Sequence, residues 1–346
     1  MERLGGLRRD VIVGFQNLAV AAVLFGSAQL GLVIGLNEGR TSPFWPPTGI
    51  AVTALLLLGL RTLPGILAGL AMINLTTTPP AAMIPTAIGS TLACMCAFWA
   101  LRRVGFDIRL DRLKDALALV FLAAFGAMLI SSTNGTALLL ATGVVTPHTF
   151  LPVWLTWWTG DAMGVLVVAP FLLTLAKIPW RRYRHIGTAR LTELTVLLAG
   201  SFGLVLFTQR ALGIVFLAFP LIVWAAWRYQ LPGAAPVAVL TSAVAIHAAV
   251  HGYGTFAGRD LLETMLILQL FNGSIALTGI LLSVAITERQ HTREELEDTC
   301  RQLGQAIGHL DRAMRPDDKS HLRGWAEQQQ DAASSSRRRS DRGQAN

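Results

Sequence analysis

The sequence predicts an all-α fold: a polytopic bundle of about eight to ten membrane-crossing helices over residues 1–287, a short coiled coil at 288–315 and a disordered tail at 316–346. Three observations predict it. Only 14% of the 346 residues are charged, against roughly 25% in soluble domains, and the mean hydropathy is +0.51. The apolar residues gather into long runs separated by short charged connectors, each run near the ~20 residues a helix needs to cross the hydrocarbon. Basic residues fall on alternate connectors, as membrane topology requires.

The runs lie at 11–35, 44–60, 62–78, 81–101, 115–140, 154–176, 191–209, 211–227, 232–251 and 264–287. The first follows a short basic segment and is too long for the core of a secretory signal, so it is expected to stay in the bilayer. Runs 44–60 and 62–78 are short and broken by Pro46, Pro47 and Pro64, which leaves two spans or one re-entrant hairpin open. Irregular backbone at membrane depth survives only inside protein or beside a wet cavity. Either choice leaves the downstream orientation unchanged.

With the N-terminus inside, fifteen of the eighteen Lys and Arg before Glu288 face one side; Arg40, Arg210 and Arg259 are the exceptions. This bias places both termini in the cytoplasm of a cell-membrane protein whose constant partners are lipids. The net charge of +8 invites a nucleic-acid reading, but the segment from Glu288 onward is neutral and the excess belongs to the membrane part. No nucleic-acid partner is expected.

Cys94, Cys96 and Cys300 provide no disulfide framework and no zinc-ligand spacing. His247 and His251 share a helix face, yet no third ligand accompanies them, so no metal site and no cofactor are expected. Catalytic triads, phosphate-cradling loops and HExxH sequences are missing. The chain does not read as an enzyme.

Beyond Thr287 the character turns polar. Leu296, Leu303 and Leu310 interleave with Cys300, Ile307 and Met314 at heptad spacing, the a/d seam of a coiled coil that could join two copies. The register runs back through Ile286 and Leu282, so the last membrane helix is expected to continue into the tail. Gly304 and Gly308 weaken the seam, and residues after Pro316 have too little apolar character to fold. His309 reads as a solvated histidine.

Ionisable groups at membrane depth are costly and mark function by default. Asp161 is the clearest, one turn below Trp154, Trp157 and Trp158, which have the look of an interfacial belt. It can bind a cation, pair with a helix N-terminus or titrate; the plainer expectation is a carboxylate held by a nearby hydroxyl such as Thr159. Asn74, Asn134 and Asn272 read as interhelical hydrogen bonders.

Two stretches carry a family resemblance. One is Phe44-Trp45-Pro46-Pro47-Thr48-Gly49, followed by Arg61 and Asn74. The other is Trp157-Trp158-Thr159-Gly160-Asp161-Ala162-Met163-Gly164, ending at Pro170. Together they resemble the bacterial membrane-associated sensor domain of the first type, over roughly residues 10–290. The resemblance implies a sensory input module usually coupled to a histidine kinase, diguanylate cyclase or cyclic-di-GMP phosphodiesterase. By position, Pro46, Pro47, Thr48, Gly49, Asn74, Trp158, Asp161, Gly164 and Pro170 match its motifs. The tail is too short for such an output domain, so action on a separate partner, or a remnant, is expected. A small-molecule transporter is the rival reading, since broken helices and a buried acid also serve transport.

Overall fold

A computed structural model describes residues 2–33, 42, 44–177, 188–211, 215–314 and 324–330. Two compact units divide the chain, Met1–Glu288 and Arg289–Asn346.

The fold is all helical, and each predicted apolar run contains a helix. These are α1 (Glu2–Val33), α2 (Pro46–Leu58), α3 (Leu63–Thr77), α4 (Pro80–Arg103), α5 (Leu113–Ala141), α6 (Phe150–Lys177), α7 (Thr188–Ala211), α8 (Ala218–Tyr229), α9 (Leu231–Val250) and α10 (Leu261–Met314). By length and composition six of the described helices are able to cross a bilayer: α1, α4, α5, α6, α9 and α10. Large apolar side chains such as Phe15, Leu18, Phe121, Phe216 and Leu270 stay exposed on the helices, as lipid-facing residues must.

The uncertain pair at 44–78 forms two short helices. At 1.5 Å per residue, the 13 residues of α2 and 15 of α3 reach only about 20 Å each, less than the ~30 Å hydrocarbon. Prolines start both, Pro46 and Pro47 in α2 and Pro64 in α3, where a missing N–H costs nothing. The break between them is Gly59, with φ 81°, a left-handed value that favours glycine. Asn17 of α1 spans the break: its Nδ2 donates to the Arg61 carbonyl at 2.9 Å, and its Oδ1 accepts from Gly65 N–H at 2.6 Å. Beyond it, Gly65 and Gly69 let α1 approach the α3 backbone closely at Asn17, Ala21 and Leu24. This is the small-residue spacing of membrane helix pairs.

Two helices carry stretches wound with i→i+5 hydrogen bonds, Leu119–Ala127 in α5 and Gly164–Val168 in α6. Such windings disturb the regular ladder and recur at functional sites. Helix α2 is buried along most of its length, from Pro47 to Leu55, and lies against α1, α4 and α6. A helix apolar on every side belongs in such an interior position. Its core includes Leu24, Leu55, Ile66, Leu119 and Leu166; a second core joins Leu197, Ile222, Ile246 and Leu268 from α7 to α10.

Helix α10 is unbroken from Leu261 to Met314. In the second unit Leu296, Leu303 and Ile307 are strongly exposed and Cys300 is exposed too. Leu310 and Met314 are helical, but their side chains lie outside the described set. Residues 324–330 form a helical stretch within the segment predicted to be disordered; the rest of 316–346 lies outside the described residues, as do Arg40 and the connector at 178–187.

Candidate functional site

The first turn of α2 meets the middle of α6. Trp45 N–H donates to the Gly160 carbonyl at 3.1 Å, which holds the start of α2 against α6. The contact is close because two glycines face each other. A Cβ at Gly49 would overlap the Gly164 carbonyl and come within 2.9 Å of Val168 Cβ, and one at Gly164 would overlap the Trp45 carbonyl. Glycine is required at both positions for backbone-to-backbone packing.

That approach brings Thr48 to Asp161. Thr48 Oγ1 donates to Asp161 Oδ1 at 2.5 Å across 113 positions of sequence. Asp161 is 2% exposed. The hydroxyl expected from Thr159 therefore comes from Thr48, because Thr159 turns back to the Leu155 and Thr156 carbonyls of its own helix. Thr48 sits in the first turn of α2, so the carboxylate also lies where the helix dipole favours negative charge. Asp161 Oδ2 has no hydrogen bond of good geometry, and Ser131 and Trp157 lie beside the carboxyl group.

Above this pair opens a cavity of about 730 Å³. Thr48, Asn74 and Asp161 line it, with Trp45, Trp157, Cys94 and Ser131. The end of α3 with Thr78 and Pro79, and Val144, Val145 and Thr149 from the connector before α6, line it as well, so it lies at the end of the bundle away from Arg102 and Arg103. Its floor is fixed by packing: Ser90 and Ser131 share a hydrogen bond of 3.1 Å, and the Trp157 ring fills the space where Gly135 lacks a side chain.

The other motif residues shape the wall from behind. Pro46 and Pro47 open α2, and Gly49 and Gly164 set its distance from α6. Trp158 donates from Nε1 to the Phe125 carbonyl at 2.9 Å, in the i→i+5 stretch of α5, and packs its ring 5.7 Å from Phe125. Trp154 stacks on Trp158 and donates to Thr133 at 3.0 Å. Both indole N–H groups thus find partners on α5, Trp158 in a half-buried bond and Trp154 in an exposed one. Pro170 lies away from the cavity, buried against Leu231 and Ala234 of α9.

The asparagines differ in role. Asn134 donates to the Pro85 carbonyl at 3.1 Å and binds α5 to α4 as expected. Asn74 instead accepts from Thr78 at 3.0 Å near the end of its own helix and faces the cavity. Asn272 is fully buried, and neither amide atom has a hydrogen-bond partner. His247 and His251 approach ring to ring at 4.2 Å, and Tyr253 stacks on His251; no metal-binding group of three ligands exists among the described residues. Sequence reasoning missed Asn17 and the Gly135–Trp157 contact; the Gly65–Gly69 spacing was the available signal for the first.

The family comparison agrees with the motifs. A family model, MASE1, matches residues 16–290, a stretch that contains the cavity and every motif residue. No curated protein and no solved structure matches the chain. The chain belongs to the MASE1 family, membrane-associated sensor domains found in bacterial signalling proteins.

Proposed function

We propose that this chain is a non-catalytic sensory input module, one that detects its stimulus in the Thr48–Asn74–Asp161 cavity and signals through α10 to a separate cytoplasmic partner. The observation that carries the reading is the Thr48–Asp161 hydrogen bond in the cavity wall. It joins the two motifs of the family at one point, so occupancy of the cavity acts directly on the contact between α2 and α6. A stimulus shifts the bundle only if it binds two of its states unequally. Family members sit in histidine kinase and cyclic-di-GMP proteins, which makes a kinase or a cyclic-di-GMP enzyme the partner to look for.

Residues 1–287 form the sensor in this reading, 288–315 a coiled coil and 316–346 a disordered tail, with both termini in the cytoplasm. The exposed Leu296, Leu303 and Ile307 support a homodimer, with Cys300, Leu310 and Met314 completing the seam. Chemical crosslinking and pull-down from native membranes test the reading, comparing the intact chain with one cut after Thr287. Recovery of a kinase or cyclic-di-GMP enzyme with the intact chain alone is the expected result. Equal recovery from both, or from neither, overturns signalling through the tail.

The short α2 and α3, broken at Gly59, together with the buried Asp161 against the start of α2, keep transport as a second reading. Solute accumulation in vesicles that disappears in Asp161→Asn is the result that would favour it.

A further inference from the structure

The cavity has an uneven chemical inventory. Among the described residues, its lining holds one carboxylate, Asp161, and no lysine, arginine or histidine. Two indoles, Trp45 and Trp157, share the wall with hydroxyls such as Ser42, Ser90 and Thr149; Leu70, Met128 and Val153 make part of it apolar. Asp161 is nine-tenths buried or more, and its Oδ2 lacks a hydrogen bond of good geometry. The start of α2 offers this carboxylate only partial positive charge, about half an elementary charge for a helix N-terminus.

We infer that the cavity is a receptor site for a small organic cation, an ammonium compound whose charged nitrogen pairs with Asp161 between the indoles of Trp45 and Trp157. An anion would meet the carboxylate with no basic residue among the described lining to offset it. A neutral solute would leave the carboxylate without a full counter-charge in a site from which it displaces water. Hard metal cations want six or more oxygen ligands, commonly several carboxylates, and this wall offers one. Indole faces attract ammonium groups, the apolar wall suits their alkyl substituents, and the hydroxyls suit a polar arm. The volume falls within the range of small-molecule sites, about 300–1,000 Å³.

This inference rests on the cavity being the sensing site, yet its test is independent of any partner. The purified intact chain in detergent is titrated with three ammonium probes, each beside a neutral isostere. The pairs are ethanolamine and 1-propanol, choline and 3,3-dimethylbutan-1-ol, and trimethylphenylammonium and tert-butylbenzene. Thermal stability and binding isotherms are read. At least one ammonium probe is expected to bind about tenfold more tightly than its isostere. Asp161→Asn should erase that preference, and Trp157→Phe should reduce it several-fold while sparing the neutral probe. Should Asp161→Asn fail to fold, the Trp157→Phe comparison decides. The inference is overturned if no pair is discriminated, or if the preference survives either substitution unchanged. A failed pull-down with intact binding would reject the signalling route alone, and absent binding with a successful pull-down would reject the cation alone.

Discussion

The contact between α2 and α6 and the inner face of α10 bury polar groups differently, for Asp161 is bonded through Oδ1 and lacks a partner only at Oδ2. At the first, Thr48 and Asp161 find each other over a long sequence separation, Trp45 N–H finds the Gly160 carbonyl, and two glycines leave no room for movement. Along α10, Gln269 Nε2, both amide atoms of Asn272 and Ser283 Oγ are buried without hydrogen-bond partners. A group that makes its bonds only in one position holds that position; a group with none loses little by moving. If α10 moves in signalling, as proposed above, its unpartnered polar groups oppose that movement less than the bonded contact of α2 with α6 would.

The largest expected effect breaks the rigid side of this contrast. Gly164→Ala places a methyl group on the Trp45 carbonyl, where main chain must move. Overpacking of this kind costs about 1–3 kcal/mol, and here it also opens the Thr48–Asp161 contact. A clear fall in melting temperature is expected, together with weaker binding of any cavity ligand. Unchanged stability would mean that α2 does not press on α6.

Next is Thr48→Val, which keeps shape and removes the hydroxyl that Asp161 accepts from. Hydrogen bonds to charged groups contribute about 1.5–3 kcal/mol, so stability falls while Gly49 packing is retained. Thr48→Ser should restore most of the loss. Equal stability of the valine and serine variants would place the carboxylate's support elsewhere.

The α10 side of the comparison is sharpened by Asn272→Leu. Replacing a buried amide that has no partner with an apolar group of similar size is expected to stabilise the chain by about 1 kcal/mol. If α10 must slide or turn to signal, the same variant should lower the response of a coupled output. Higher stability with a full response would separate Asn272 from signalling.

Much of this architecture was legible because membrane physics writes it locally. The positions of α1, α4, α5, α6 and α9 follow from apolar length alone, and the motif residues Thr48, Asn74 and Asp161 could be marked as unusual by polarity. Their meeting was not legible, since it depends on Gly49 facing Gly164, a long-range contact that no local period reports. The partner of Asp161 was misread for that reason: Thr159 was near in sequence, Thr48 near in space. The partners of Trp154 and Trp158 were not legible either, because Thr133 and the Phe125 carbonyl are distant in sequence. The i→i+5 windings in α5 and α6 left no mark, because Leu119–Ala127 and Gly164–Val168 are ordinary apolar helix sequence.

The smallest expected effect lies where α10 leaves the first unit. Glu288 Oε2 accepts from Leu113 N–H at 3.2 Å, at the first residue of α5. A carboxylate there satisfies one of the free N–H groups of a helix start and suits its dipole, worth about 0.5–1 kcal/mol at an exposed position. Glu288→Ala should therefore lower the melting temperature by only a degree or two for a chain of this size. Its effect on signalling should exceed its effect on stability, because α5 carries the cavity-lining Met128 and Ser131 in its middle and this contact at its first residue. Measured beside Asn272→Leu, the two variants test one idea from opposite directions: loosening the exit of α10 should raise basal output, and filling its buried polar seam should lower it. Changes of the same sign in both would mean that α10 is not the moving part.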